Sequence, residues 1–302
     1  MTINGPSTPS EGGGGEACRL SRIQAAEARA RHTGALRPIA TASHVLERNG
    51  LRYLVRILER VHEKEQARAK QDVSEGQGDP FLPYEVDLFV GDLGRHHVAL
   101  LNKFPVLRHH LLIVTRRFEH QACPLTLEDM HALHRCLQRA GGLGFYNSGK
   151  TAGASQAHKH LQWVPTPLGS GARDEVPVGP WLTPEALRAG HVARFPFRHA
   201  VHALPGTLGS AHGAVVLLEA YRRLLERLRL RDHGDGRLPP YNLLVTRRWI
   251  MVIPRSREHW EGVSVNALGF AGAFLVRDAT QLSRLRRVGP LQVLAAVGVP
   301  QR

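Results

Sequence analysis

The chain has 302 residues, enough for one large domain or two modest ones, and its hydrophobic (42%) and charged (22%) fractions are those of an ordinary globular protein. No apolar run approaches the roughly 20 residues that cross a bilayer, and the N-terminus lacks the basic-then-apolar pattern of a secretory leader, so a cytoplasmic address without membrane contact is expected. The net charge of +14 predicts attraction to polyanions such as nucleic acid or multiply phosphorylated small molecules, although Arg is spread along the chain rather than clustered.

Residues 1–44 open on a Gly-, Ser- and Pro-rich run and read as a flexible tail. From Ala42 to about Lys70, Val45, Leu46, Leu51, Leu54, Val55, Leu58 and Val61 follow helical spacing, with Gly50 dividing two predicted helices. The apolar runs in "DLFVGDLGRHHVALLNKF" and "HHLLIVTRR" then predict buried strands joined near Phe104 and Pro105. "LTLEDMHALHRCLQRAGG" is a helix with both ends marked: Thr126 at the N-cap, acids in the first turn, glycine at the end. "LGFYNSG" reads as a strand leading into a small-residue loop. Residues 166–215, rich in Pro, Gly and His, read as an insertion or flap. "AVVLLEAYRRLLERLRL" predicts an amphipathic helix, "YNLLVTRRWIMVIPRS" a hairpin turning at Arg247 and Arg248, and residues 265–287 a helical segment. Together these predict an α+β fold, a mainly antiparallel sheet with flanking helices.

Cys18, Cys123 and Cys136 lie far apart, which argues against a disulfide framework or a cysteine zinc knuckle and leaves Cys136 as a small buried apolar residue. His96, His97, His109 and His110 flank two strands and read as surface or edge residues.

The chemistry concentrates in "GASQAHKHLQWVP". On a strand, His158, His160 and Gln162 share one face, while Lys159, Leu161 and Trp163 share the other. Two imidazoles and a carboxamide in a row make a poor core. Four readings stay open: a His-x-His metal site short of a third ligand, a structural histidine pair, a nucleic-acid contact through Lys159 and Trp163, and nucleophilic catalysis. In the last, a neutral imidazole attacks phosphorus to give a phosphoramidate. Gln162 donates to a non-bridging oxygen without a labile proton, and the "GASQ" loop brings backbone N–H groups and Ser155 to the phosphates.

"NSGKTAGASQAHKHLQ", with upstream "PFLPYE" and "LLNKFPVLRHHLLIVTRRFEHQ" and downstream "YNLLVTRRWIMVIPRSRE", resembles the diadenosine tetraphosphate phosphorylases, or ATP adenylyltransferases, of the histidine-triad superfamily. The likeness runs from about Tyr53 to Leu285. It implies a histidine-triad-like fold whose catalytic domain spans residues 45–165 and 216–302. It implies reversible phosphorolysis of diadenosine tetraphosphate to ATP and ADP, with His160 as nucleophile, His158 and Gln162 beside it, and net retention at phosphorus. Substrate contacts are implied at Lys64, Asn102, Lys103, Asn147, Ser148, Gly153, Ala154, Ser155, Gln156, Asn242, Thr246, Met251 and Arg255, with Lys64, Lys103 and Arg255 as counter-charges. The expected partners are dinucleoside polyphosphate, ATP, ADP and inorganic phosphate rather than nucleic acid. Mg2+ is expected to travel with the polyphosphate, and no protein-held metal is predicted. Adenylyl transfer between ADP and another anion such as sulfate, or a non-catalytic nucleotide- or RNA-binding module, are the alternatives.

Overall fold

The computed structural model describes residues 13–59, 79–169, 175–204, 206–209, 212–232 and 234–301. The first apolar segment folds against the helical expectation. Strands β1 (Thr41–Arg48) and β2 (Leu51–Leu58) form an antiparallel hairpin in which Arg48 pairs Leu51. Asn49 and Gly50 both take positive φ (55° and 77°), the two-residue turn whose twist suits paired strands. The buried residues Leu51, Tyr53 and Val55 are two apart, so the period that decides is 2, and Gly50 turns a hairpin instead of parting helices.

The main sheet takes β3 (Phe89–Asp92), β4 (His97–Leu101), β5 (Leu111–Thr115), β6 (Leu143–Ser148), β7 (His160–Val164), β8 (Ala200–Ala203), β9 (Tyr241–Val245) and β10 (Trp249–Pro254) in the order β3-β4-β5-β7-β6-β9-β10-β8, antiparallel throughout. A short pair, β11 (His259–Trp260) and β12 (Val263–Ser264), follows. β13 (Ala273–Val276) then joins β2 in parallel to make a small three-stranded sheet with the hairpin. The predicted 265–287 helix is therefore interrupted by a strand, because Phe274 and Val276 bury against β2.

Seven α-helices are described: α1 (Leu20–His32), α2 (Leu127–Ala140), α3 (Pro184–Ala189), α4 (Gly213–Arg227), α5 (Ala267–Phe270), α6 (Ala279–Val288) and α7 (Pro290–Val297). The α2 ends are as its sequence predicts: Thr126 and Asp129 form a reciprocal capping box, and Gly141 at φ 66° stops the helix. None of the described helices is long and apolar enough to cross a membrane.

Alternate residues of the central strands feed two large cores, while Val98, Leu100 and Val114 join Phe81 in a smaller third. Leu161, Trp163, Ile113, Tyr146, Leu243 and Ile250 meet α1, α2 and α4 on one face. On the other face Phe145, Leu244, Met251 and Val201 meet β2, β13, α6 and α7. The second core also takes Val176, Val178, Trp181, Phe195 and Phe197, so residues 166–215, expected as an insertion or flap, are packed structure where described, with β8 on the sheet edge. Their weak periodicity reflects burial by irregular backbone. Nor are residues 20–44 a loose tail: α1 buries Ile23, Ala26 and Ala30. Cys18, just before α1, is disulfide-bonded to Cys136 of α2, against the expectation of free cysteines. Their 118-residue separation hid a proximity that packing of the N-terminal turn on α2 creates.

Candidate active site

The site lies on the sheet face that faces away from α1, α2 and α4, where β6 and β7 part company. The two strands pair from Leu143↔Val164 to Phe145↔Gln162 and no further. Beyond that fork the side chain of Gln121, 1% exposed, takes the place of the missing strand partner. Its Oε1 accepts from the His160 backbone N–H at 2.8 Å, and its Nε2 donates to the carbonyls of Asn147 (2.9 Å) and His160 (3.1 Å). This fixes the main chain at His160 while leaving its side chain for other work.

The His160 ring is oriented by its own motif. Nδ1 donates to the carbonyl of His158 at 2.8 Å, which leaves the lone pair on Nε2. No described residue hydrogen-bonds that Nε2. Burial lowers the His160 pKa to about 4, so the ring is neutral at physiological pH, as a nucleophile must be. His158 is itself anchored: Nδ1 reaches Asp79 at 2.5 Å, and Nε2 reaches the Oγ1 and carbonyl oxygen of Thr115, both at 2.8 Å. Phe81 sets its edge against both imidazoles, 5.7 Å and 5.3 Å between centroids. The alternation expected of the motif is present: His160 and Gln162 look into the site, and Leu161 and Trp163 enter the helix-side core. Lys159, 1% exposed, bonds Asp129 of α2 at 3.2 Å and Glu119 at 2.7 Å.

Residues 149–159 connect β6 to β7. Gly153 takes φ 89°, and a Cβ there would meet the Asn266 Cβ at 2.8 Å, so glycine is required twice over. The amides of Gly153 and Ala154 bond the carbonyls of Lys150 and Gly149 inside the loop and are not phosphate donors as it stands. The amides of Ser155, which is exposed, and Gln156 have no partner among the described residues, and the Gln156 Nε2 is buried without one.

Several residues expected to contact substrate are tied into the surrounding structure. Arg255, 4% exposed, turns its donors inward: its guanidinium bonds the carbonyls of Val297, Ala152, Arg257 and Glu258 and the Oδ1 of Asn242, and lies 5.2 Å over the Phe270 ring. Burial lowers its pKa to about 10. Asn242 completes the strut, donating to Asn147 Oδ1 and the Ala152 carbonyl, both at 2.8 Å. Asn147 Oδ1 also accepts from the Ala267 amide. Met251 is a core residue, and Thr246 Oγ1 accepts from the Arg248 and Trp249 amides in the β9–β10 turn. Ser148 alternates away from Asn147, its Oγ buried and unpartnered among the described residues. Lys103 is ion-paired with Glu85. Lys64 lies outside the described residues.

Asp79, Thr115, Gln121 and His110 are the residues the sequence reading missed; all but Asp79 lie within or between matched motif blocks, but their contacts depend on strand pairing. The paired histidines were misjudged for the same reason. His97 is buried against Asp129 at 2.7 Å, and His110 is buried within the site, though His96 is exposed as expected. Among the described residues no group of three or more His, Cys, Asp or Glu side chains gathers around a possible metal position.

The geometry can be set beside known proteins. A family model of the Ap4A (diadenosine tetraphosphate) phosphorylase N-terminal domain matches residues 16–184, more than half the chain, and one of the ATP adenylyltransferase C-terminal domain matches residues 193–300. This chain belongs to the Ap4A phosphorylase family. A diadenosine tetraphosphate phosphorylase (phosphorylase 2) of Saccharomyces cerevisiae is 31% identical over 238 residues, 68% of this chain and 71% of that one. Protein APA1 of the same yeast is 27% identical over 238 residues, covering 70% and 72%. The crystal structure of yeast Ap4A phosphorylase Apa2 in complex with AMP superposes with a TM-score of 0.75 at 27% identity, covering 93% of this chain and 97% of that one. Another crystal structure of yeast Ap4A phosphorylase Apa2 gives a TM-score of 0.74 at 25% identity. The α+β architecture of this Ap4A phosphorylase family member is thus that of the yeast enzyme. The junction between the two family domains falls at residues 185–192, inside the stretch expected as an insertion.

Proposed function

We propose that this enzyme phosphorolyses diadenosine tetraphosphate to ATP and ADP through an AMP–His160 intermediate. The observation that carries the reading is the His160 ring: neutral, held by the His158 carbonyl through Nδ1, with Nε2 unoccupied among the described residues. In the first step Nε2 forms a bond to the α-phosphorus and the bond from that phosphorus to the bridging oxygen breaks, its electron pair leaving on the terminal phosphate of ATP. The Nδ1–H···O=C bond stabilises the positive charge that the ring gains. In the second step a phosphate oxygen attacks the same phosphorus, the N–P bond breaks, and ADP leaves with the ring neutral again. Two in-line displacements give retention.

The leaving ATP needs no proton from the enzyme, because a phosphate oxygen is already a stable anion. That suits Gln162, which can donate hydrogen bonds but not protons. The buried Nε2 of Gln156 and the amides of Ser155 and Gln156 are the donors we assign to the phosphate path. Mg2+ enters with the polyphosphate whose charge it neutralises, and a cytoplasmic setting fits these substrates.

Product analysis with and without inorganic phosphate, for wild type and His160→Ala, tests the reading. The wild type is expected to give equimolar ATP and ADP only with phosphate. With substrate labelled in the α-phosphate, it should form a protein-bound AMP that the folded variant cannot form. ATP and AMP without phosphate would make it a hydrolase, turnover on sulfate would widen the acceptor, and binding without turnover would leave a nucleotide-binding module.

A further inference from the structure

We propose that His110 is a positioning residue for Gln162: a chain of hydrogen bonds running from the Phe104 backbone amide through Asn102 and His110 turns the Gln162 carboxamide so that its NH2 group, not its oxygen, faces the reacting phosphate. This deepens the proposed reaction and rests on it.

The direction of the chain follows from its first link. A backbone N–H can only donate, so the Phe104 amide, 3.1 Å from Asn102 Oδ1, fixes which end of the Asn102 carboxamide is oxygen. The other end, Nδ2, then lies 3.1 Å from Nδ1 of His110 and must donate to it. An imidazole whose Nδ1 accepts carries its proton on Nε2. That Nε2 lies 2.9 Å from Gln162 Oε1 and donates to it. With its oxygen held, Gln162 presents only N–H donors to the site. One backbone amide thereby decides the polarity of a side chain three hydrogen bonds away.

The fold builds this chain from strand register. Leu112 pairs Gln162 across β5 and β7, so His110, two residues earlier on the same face, reaches Gln162 on the diagonal. His110 is 8% exposed and its ring packs 5.7 Å from Phe145. Burial, with the neighbouring His160 adding to it, lowers the His110 pKa to about 4, the Gln162 bond opposing. A cationic His110 would turn a second N–H on the Nδ2 of Asn102, donor against donor, so the arrangement serves only the neutral ring. Without it, nothing on this side of the carboxamide would hold its oxygen away from the anionic phosphate.

The test contrasts two carboxamides at position 110. In His110→Gln the side-chain nitrogen stands where the imidazole Nε2 stood and can still donate to Gln162. In His110→Asn it stands where Nδ1 stood and falls short. Both variants are polar and shorter in bulk than histidine, so a loss of folding alone would not rank them. Steady-state phosphorolysis of diadenosine tetraphosphate is measured for both, for Gln162→Ala, and for the double variant His110→Asn/Gln162→Ala. We expect His110→Asn to lose about 100-fold in kcat with KM little changed, as for one oriented donor lost from a charged transition state. His110→Gln should retain activity within about tenfold. The double variant should be no slower than Gln162→Ala, because His110 acts only through that residue. Equal loss in His110→Gln and His110→Asn, or losses that multiply in the double variant, would overturn the positioning role while the wild type still turns over. A wild type that does not phosphorolyse the substrate would overturn the parent reading instead.

Discussion

Substituting Gln121 tests how the nucleophile's strand is held. Truncation to alanine removes three bonds and leaves three main-chain groups, the N–H and C=O of His160 and the C=O of Asn147, without their partner in a site where Gln121 is 1% exposed. An orphaned buried polar group costs about 1–3 kcal/mol, and counting the N–H in full and the two carbonyls partially gives about 3 kcal/mol. At about 2 °C per kcal/mol for a chain of this length, the thermal midpoint should fall by about 6 °C. The His160 ring, no longer fixed to a fraction of an ångström, should lose about 100-fold in the rate of protein adenylylation. Gln121→Glu sharpens the argument. It keeps the volume and the acceptor for the His160 amide, but sets a carboxylate oxygen against two carbonyls at 2.9 Å and 3.1 Å. It should be less stable than the alanine variant despite filling the space better. Urea denaturation and single-turnover adduct formation read both. A glutamate variant as stable as wild type, or an alanine variant within about 0.5 kcal/mol of it, would refute the idea that Gln121 substitutes for the missing strand.

Two further outcomes follow from the same site. Burial depresses the pKa of His110, His160 and His199 to about 4, against about 6.5 unfolded, so the stability tied to their neutral forms is complete above pH 6.5 and is lost as pH falls through 4. Adduct formation should accordingly hold level from pH 8 to about pH 5, with its acid limb near 4; a limb near 6.5 would show an exposed, ordinary His160. For Arg255→Lys, the charge stays but the planar fork that reaches five oxygens is gone, so the thermal midpoint should drop while KM for phosphate is unchanged. An unchanged midpoint with a raised KM would return Arg255 to the role of phosphate counter-charge.

What could be read from the sequence was what local patterning controls. Thr126 and Gly141 bracket α2 because caps are local, and β4, β5, β9 and β10 are legible because buried strands are short apolar runs between turn residues. The face shared by His160 and Gln162 follows from alternation alone. The hairpin of β1 and β2 is not legible because its apolar residues fit either period over a short window, and Gly50 alone reads equally well as a break between helices. Trp181, Phe195 and Phe197 gave no signal since they are buried from irregular backbone. Similarity of a block says nothing of the carbonyls that already engage Arg255 and Asn242, or of the core that buries Met251. His110 and Gln121 needed the pairing of Leu112 with Gln162 and the parting of β6 from β7, which no single segment encodes.

The segment from Thr115 to Pro124 crosses β7 at its opening residues and ties to them repeatedly: the Thr115 amide to the Lys159 carbonyl, the Lys159 amide to the Glu119 carbonyl, the Gln121 amide to the Ala157 carbonyl, and the Lys159 ammonium to the Pro124 carbonyl. It works as a buckle, set where the ladder with β6 has ended. A strand held in an ordinary ladder has its neighbours' backbones on both sides and little room beside it. A strand held by a buckle can part from one neighbour without losing its grip. The reactive imidazole therefore sits on backbone as firmly fixed as the sheet's interior, although the ladder to β6 has already ended.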